Sequence, residues 1–191
     1  MGHEINPRSP REAINLGIAL LPEDRKRHGA LLTNSIKNNI SMPIYERISK
    51  ATVINKKREH SIAEGYREDI QIKCPSIHQL VKNLSGGNQQ KVILAKWLAA
   101  QSKLIIFDEP TRGIDVGAKF EIYKLINDLV EDGVAVLMIS SEMEELIGMS
   151  DRIVVLAEGK MMGELHKDEF NADTIMTYAS GVIPENKKEA I

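Results

Sequence analysis

The spacing of apolar positions changes several times along the chain, and each change marks an element. "SPREAINLG" (Ser9–Gly17) predicts a helix: Ser9 is an N-cap, Pro10 suits the first turn, Glu12 completes a capping box and Gly17 is a stop. "IALLP" follows as a buried strand and "EDRKRHG" as a charged loop. "SIKNNI" predicts a short helix, and "NKKREHSIAEGYREDIQI" a longer polar one with Ile62, Tyr66 and Ile70 on one stripe. The stretch 32–101 holds no convincing strand, and the polar character of about 32–84 predicts low local stability. "NLSGGNQQKVILAKWLAA" then places two glycines before a helix. Val92, Ile93, Leu94, Trp97 and Leu98 recur there at helical spacing, with Asn88, Gln89, Gln90, Lys91 and Lys96 between them.

From residue 102 strands and helices alternate. "KLIIFDEP" predicts a buried strand, "VGAKFEIYKLINDLVEDG" an amphipathic helix ending at Gly133, "VAVLMIS" another buried strand and "SEMEELIGM" a short helix. "DRIVVLAEGKMMGEL" predicts a hairpin turning at "EGK", "NADTIMTYASG" a last helix and "IPENKKEAI" a frayed polar tail. Unbroken apolar strands separated by helices argue for an α/β fold with a parallel core sheet covered on both faces. The organisation expected is an α/β piece over 1–31, a helical subdomain over 32–101, an α/β core over 102–181 and a polar tail over 182–191.

Length and composition add limits. A chain of 191 residues can bury one sizeable core, and 42% hydrophobic with 27% charged residues fits an ordinary globular protein. Lys plus Arg number 25 against 27 for Asp plus Glu, so no basic excess points to nucleic acid. Apolar runs such as Val134–Ile139 are too short to span a membrane, and no charged-then-apolar leader opens the chain. The single cysteine, Cys74, cannot form an internal disulfide and fits a reducing compartment. His28, His60 and His78 read as solvated or packed side chains.

Two stretches carry candidate chemistry. Asp108 and Glu109 end the apolar strand "LIIFD", where ligands of open α/β sheets gather. Asp108 is placed to hold Mg²⁺ through water, and Glu109 to orient or deprotonate an attacking water. Ser85, Gly86 and Gly87 open a helix whose first N–H groups are available to an anion, phosphate above all; a plain helix-entry turn is the other reading. Asp115 precedes a helix and by itself reads as its N-cap.

Order and spacing join these stretches. "LSGGNQQK" resembles the signature motif of the ATP-binding cassette family, with Asn88 where many members have Gln. "LIIFDEP" resembles its Walker B strand with the catalytic glutamate, and "TRGID" its D-loop. "PEDRK", "LSGGNQQK", "DEPTRGIDVGAK" and "SSEMEE" together are similar to the second of the two cassettes in ATPases of bacterial monosaccharide importers for ribose, galactose, xylose and similar sugars. The likeness runs over about residues 2–181 and implies a partial P-loop NTPase fold with a helical subdomain.

No G-x-x-x-x-G-K-[ST] loop occurs in the 191 residues. The resemblance therefore implies a fragment, with the lysine loop and the adenine-stacking aromatic upstream, and an isolated chain that binds ATP poorly. It also implies that two cassettes pack head to tail, so Ser85, Gly86 and Gly87 serve a phosphate held by the other. Permease subunits are further partners, with a coupling surface over about Glu23–Ile44, and a periplasmic sugar-binding protein an indirect one. The implied location is cytoplasmic, on the inner face of the plasma membrane through the permease. The family's usual glutamine falls at Glu23 and its usual histidine at Ser141, which implies a weaker hydrolytic half. A non-transport cassette ATPase or a non-catalytic remnant is the alternative.

Overall fold

The computed structural model describes residues 4–182, so all but the first residue of the expected tail over 182–191 lies outside the described residues. The described residues up to Ile139 form one compact unit, and those from Ser140 a second. The expected 102–181 piece is therefore divided after Ile139.

In the first unit, α1 (Pro10–Asn15) begins at Ser9, whose Oγ accepts the amide of Glu12 at 3.2 Å. The returning arm of the capping box comes one residue early, from the Arg8 amide to Glu12 Oε2 at 2.5 Å. After β1 (Ile18–Leu21) the charged "EDRKRHG" run is no open loop: Arg25–Gly29 form one turn of π-helix. Asp24 Oδ1 caps it by accepting the amides of Lys26 and Arg27 at 3.1 Å. Then come α2 (Ile36–Ser41), α3 (Tyr45–Ile48), β2 (Ser49–Lys50), β3 (Val53–Ile54), α4 (Lys56–Asp69), α5 (Gly86–Ala99), β4 (Leu104–Asp108), α6 (Val116–Glu131) and β5 (Ala135–Ile139).

The hairpin β2–β3 corrects the expectation of a strand-free segment. Its two-residue turn puts Ala51 and Thr52 at φ 45° and 71°. Such turns are announced by Asn-Gly or Asp-Gly, so Ala-Thr gives no warning of one.

The main sheet has the order β1-β4-β5, all parallel, with Leu21 opposite Phe107 and Phe107 opposite Met138. Side chains alternate between its faces. Ala19, Leu21, Ile105 and Phe107 share one face and are buried. Leu20, Leu137 and Ile139 share the other and are 45%, 52% and 50% exposed. The expectation of a sheet covered on both faces thus holds for one face only, and "VAVLMIS" contributes no fully buried residue to β5.

The helical region has a core of its own. Ile36, Ile40, Ile44, Ile48, Ile70, Ile72, Ile77 and Val81 pack with Val92, Ala95 and Ala99 of α5. These isoleucines are dispersed in polar sequence, so a local window looks hydrophilic while the assembled region does not. The premise of few apolar contacts, on which the expectation of low stability rests, is not met. A buried ion pair completes the region: Glu59, 0% exposed, takes Lys37 Nζ at 2.7 Å and Ser41 Oγ at 3.0 Å. Burial pushes the Glu59 carboxyl up, but Lys37, Ser41 and Lys56 outweigh it and hold the group below its ordinary range.

The second unit consists of α7 (Met143–Met149), the antiparallel pair β6 (Arg152–Ala157) and β7 (Lys160–His166), and α8 (Ala172–Ala179). The hairpin turns where expected, with Glu158 and Gly159 at φ 50° and 75°. Ile153, Val155, Leu165, Ile175 and Tyr178 form its core. Among the described residues no helix is long and apolar enough to cross a membrane.

Candidate functional site

Parallel strands bring their carboxyl ends to one edge of a sheet. Asp108 is the last residue of β4, and Glu109 follows in the left-handed region at φ 49°. A non-glycine residue there is held by its surroundings. The Glu109 amide donates to Ile139 O at 2.9 Å, and the Glu109 carbonyl accepts from the Arg112 amide at 3.2 Å. Neither the Asp108 nor the Glu109 carboxylate has a hydrogen bond or ion pair among the described residues. Two such oxygen donors at a strand end suit Mg²⁺, which takes one or two carboxylates and fills its remaining positions with water and phosphate oxygens. Among the described residues no group of three or more acidic, histidine or cysteine side chains could by itself hold a metal ion.

The loop after β1 meets the loop after β4. Glu23 pairs with the guanidinium of Arg112. The carboxylate that sequence reading sets against a phosphate is therefore balanced by a cation. Arg25 crosses the same gap, donating from Nη1 to Arg112 O at 3.0 Å and from Nη2 to Gly113 O at 3.4 Å.

The glycine turn lies beside Arg25. Ser85 is the N-cap of α5, and its Oγ accepts Nδ2 of Asn88 at 2.9 Å. Asn88 Oδ1 in turn accepts the Lys73 amide at 2.7 Å, so this side chain braces its own turn. A Cβ on Gly86 would lie 2.7 Å from Arg25 Nη2, and one on Gly87 2.9 Å from Ala118 Cβ. Both glycines keep a negative φ; at Gly87 an added Cβ meets the fixed Cβ of Ala118, whereas at Gly86 it meets the movable end of the Arg25 side chain. Ala118 belongs to the first turn of α6, which Asp115 caps by accepting the Ala118 amide at 3.0 Å. The N-termini of α5 and α6 therefore meet, each with free N–H groups and a positive dipole end. Ser141 lies in the second unit and is exposed; neighbouring Ser140 Oγ accepts the Glu142 amide at 3.0 Å.

Glu23, Ser85, Gly86, Gly87 and the Arg112–Asp115 loop thus form one cluster, and Asp108 with Glu109 stand at the start of that same loop. Sequence reading missed the roles of Arg25, Arg112 and Lys96. Opposite charges in "EDR" and "TRG" hinted at the first two. Lys96 sits in an otherwise apolar helix, its Nζ donating to Gly29 O at 2.5 Å and lying 4.4 Å from the centre of the Trp97 ring. Burial pushes its amine down to about 8. Trp97 Nε1 donates to Leu20 O at 2.9 Å, fastening α5 to β1. Behind the glycine turn, Lys91 and Lys73 both bond Glu121, at 2.7 and 2.9 Å, and hold its carboxyl down at about 2.

Comparison with known proteins places this arrangement. The family model described as ABC transporter matches residues 2–112. The xylose import ATP-binding protein XylG of Thermoanaerobacter pseudethanolicus is 53% identical over 180 residues, covering 94% of this chain and 36% of that protein. The ribose import ATP-binding protein RbsA of Bacillus cereus is 48% identical over 180 residues, again covering 94% and 36%. The chain thus spans about a third of the length of the curated relatives it matches. A dimeric ATP-binding cassette in a post-hydrolysis state, bound to ADP and Pi, aligns with TM-score 0.65 at 21% identity over 80% of this chain and 64% of its own. An ATP-binding cassette of an ABC transporter in its ADP conformation gives TM-score 0.66 at 20% identity, covering 91% and 68%. Those two likenesses are of fold, the α/β fold of a cassette ATPase. On the family model and on relatives about half identical along nearly all of its length, this chain belongs to the ABC transporter family.

Proposed function

We propose that this chain works as part of the ATP-hydrolysing subunit of a monosaccharide importer. The observation that carries the reading is the 53% identity over 94% of the chain to a xylose import ATP-binding protein. That span includes the LSGG turn, the FDEP strand end and the TRGID loop. In this reading ATP and Mg²⁺ come to a site completed by a second cassette packed head to tail, and permease subunits dock on the Glu23–Ile44 surface. A periplasmic binding protein delivers the sugar, and the assembly works on the cytoplasmic face of the membrane.

The roles of the residues follow from position. Asp108 offers its carboxylate to Mg²⁺, whose charge would offset that gathering on the phosphates. Glu109 orients the attacking water or takes its proton. The Ser85 hydroxyl and the amides of Gly86 and Gly87, with the α5 dipole behind them, close on a phosphate held by the opposite cassette. The Asn88 brace keeps that turn in shape, and Asp115 fixes the start of α6 against it. By resemblance to the family, Glu23 falls where a glutamine is usual and Ser141 where a histidine is usual. Arg112 offsets the charge of Glu23, while Ser141 has no imidazole to offer a phosphate.

The test is ATP turnover by the full-length subunit reconstituted with its permease and sugar-binding protein. Turnover stimulated by a pentose or hexose supports the reading, and turnover indifferent to both partners overturns it. The isolated chain, lacking a lysine loop among its 191 residues, should bind ATP–Mg²⁺ no more tightly than about millimolar by calorimetry. Low-micromolar binding would contradict this.

A further inference from the structure

The turn Arg25–Gly29 lies along α5 and is held at both ends. At one end the Arg25 guanidinium rests on Gly86, so closely that a Cβ there would stand 2.7 Å from Nη2. At the other, Lys96 Nζ holds Gly29 O at 2.5 Å. The spacing from Gly86 to Lys96 is nearly three helical turns. Turn and helix are thus fastened at two separated points, which removes rotation as well as translation between them.

Arg25 does a second thing from the same position. Its two terminal nitrogens donate to the carbonyls of Arg112 and Gly113, at 3.0 and 3.4 Å. Glu23, two residues earlier, grips the Arg112 side chain. The loop that begins at Glu109 and ends at the Asp115 cap is therefore held by three contacts, two from Arg25 and one from Glu23 just ahead of the turn. Its far side touches α5 as well, through Ala118 against Gly87. The Nε–H of Arg25 is buried without an acceptor, a cost that a side chain serving only to fill space would not carry.

We propose that Arg25 is a positioning residue that sets the Ser85–Gly87 turn in register with the Arg112–Asp115 loop, so that both reach the opposite nucleotide together. The inference rests on the reading that this turn closes on a phosphate. Arg25 touches no substrate; it acts through Gly86 and through the carbonyls of Arg112 and Gly113. Only a planar fork with several donors can serve two successive carbonyls while lying flat against a glycine, so lysine is not equivalent.

The test uses the full-length subunit assembled with its permease, with steady-state turnover measured across ATP concentration. Arg25→Ala should lower kcat by about 10- to 100-fold, the effect of a misplaced but intact group. The KM for ATP should stay within about twofold, because groups that engage only on closing add nothing to ground-state binding. Arg25→Lys keeps the stem and the charge but has a single ammonium, so it should fall between wild type and Arg25→Ala. Thermal midpoints of both variants separate positioning from unfolding. If Arg25→Ala does not fold, Arg25→Lys decides: lowered kcat at unchanged KM supports the proposal, and wild-type kcat overturns it. A rise in KM at unchanged kcat overturns it as well. If the wild-type assembly shows no sugar-stimulated turnover, the functional reading has failed; if it does and Arg25→Ala matches it, this inference alone has failed.

Discussion

The helical region and the parallel sheet are packed by different rules. In the helical region Ile36, Ile40, Ile77 and Val81 reach complete burial, and even its charge is internal, with Glu59 fully enclosed between Lys37 and Ser41. The sheet buries Ile105 and Phe107 as fully but leaves Leu137 and Ile139 half exposed on its other face. One region satisfies its own apolar residues; the other does so on one side. The chemistry divides along the same line. The Ser85–Gly87 turn belongs to the helical region, and Asp108 and Glu109 to the sheet. The first is braced by Asn88, Arg25 and Ala118, whereas the two carboxylates lack partners among the described residues. On the proposed reading, the braced turn acts on a phosphate outside its own chain, and the two carboxylates receive an ion and a water.

The largest expected effect tests the division of chemistry. In the full-length subunit with permease, Ser85→Arg should abolish most ATP turnover, by about 10³-fold, since on the proposed reading a bulky cation would enter the turn that closes on a phosphate. On the proposed reading, in which this cassette is the weaker hydrolytic half, Glu109→Gln should cost less. If steady-state turnover ranks the two in the opposite order, the sheet carries the working site and the comparison fails.

The next effect concerns packing. Glu59→Ala leaves the largely covered Lys37 without its partner and removes the buried acceptor of Ser41, and urea unfolding should show a loss of about 3 kcal/mol. Hydrogen exchange should find α2 and α5 at least as protected as β4. Faster exchange in α2 than in β4 would restore the view that the helical region is the weaker one.

A smaller contrast lies within the sheet. Phe107→Ala should cost about 3 kcal/mol, and Leu137→Lys should stay within about 0.5 kcal/mol in the isolated chain. Equal losses would mean that both faces are covered. In an assembly where the second face is occupied, Leu137→Lys should become the more damaging of the two settings, which sharpens the comparison.

The smallest effect is electrostatic. The Glu121 carboxyl is held down at about 2 by Lys91 and Lys73, below its ordinary 4.5. A depressed acid stabilises the fold above its unfolded value, and that contribution is lost as pH falls from about 4.5 toward about 2. Glu121 is 42% exposed at its side chain, so solvent screening keeps the gain below about 1 kcal/mol. Glu121→Gln should flatten the acid limb of the stability curve; an unchanged limb would show that the two lysines contribute nothing there.

Much of this was legible along the chain because it depends on near neighbours. Ser9, Ser35, Ser85 and Asp115 cap helices with their own side chains, and capping reaches only three residues ahead. The strands beginning at Leu104 and Arg152 and the turn at Glu158–Gly159 follow from short apolar runs and one glycine. The motifs "LSGGNQQK", "FDEP" and "TRGID" point to the family, because they set particular groups at fixed spacing.

What the sequence could not decide depends on contacts between distant residues. An apolar strand reads the same whether one face or both are covered, since covering is done by other elements; hence the half-exposed Leu137. Isoleucines scattered from Ile36 to Ile77 look sparse until α2, α4 and α5 bring them together. Arg25 is one cation in a charged run, and only the fold sets it on Gly86 and on carbonyls 87 and 88 residues away. Residue types at fixed spacing determined the elements and the family. Tertiary structure alone decided which charges meet, because burial and Coulomb energy depend on distance in space and not along the chain.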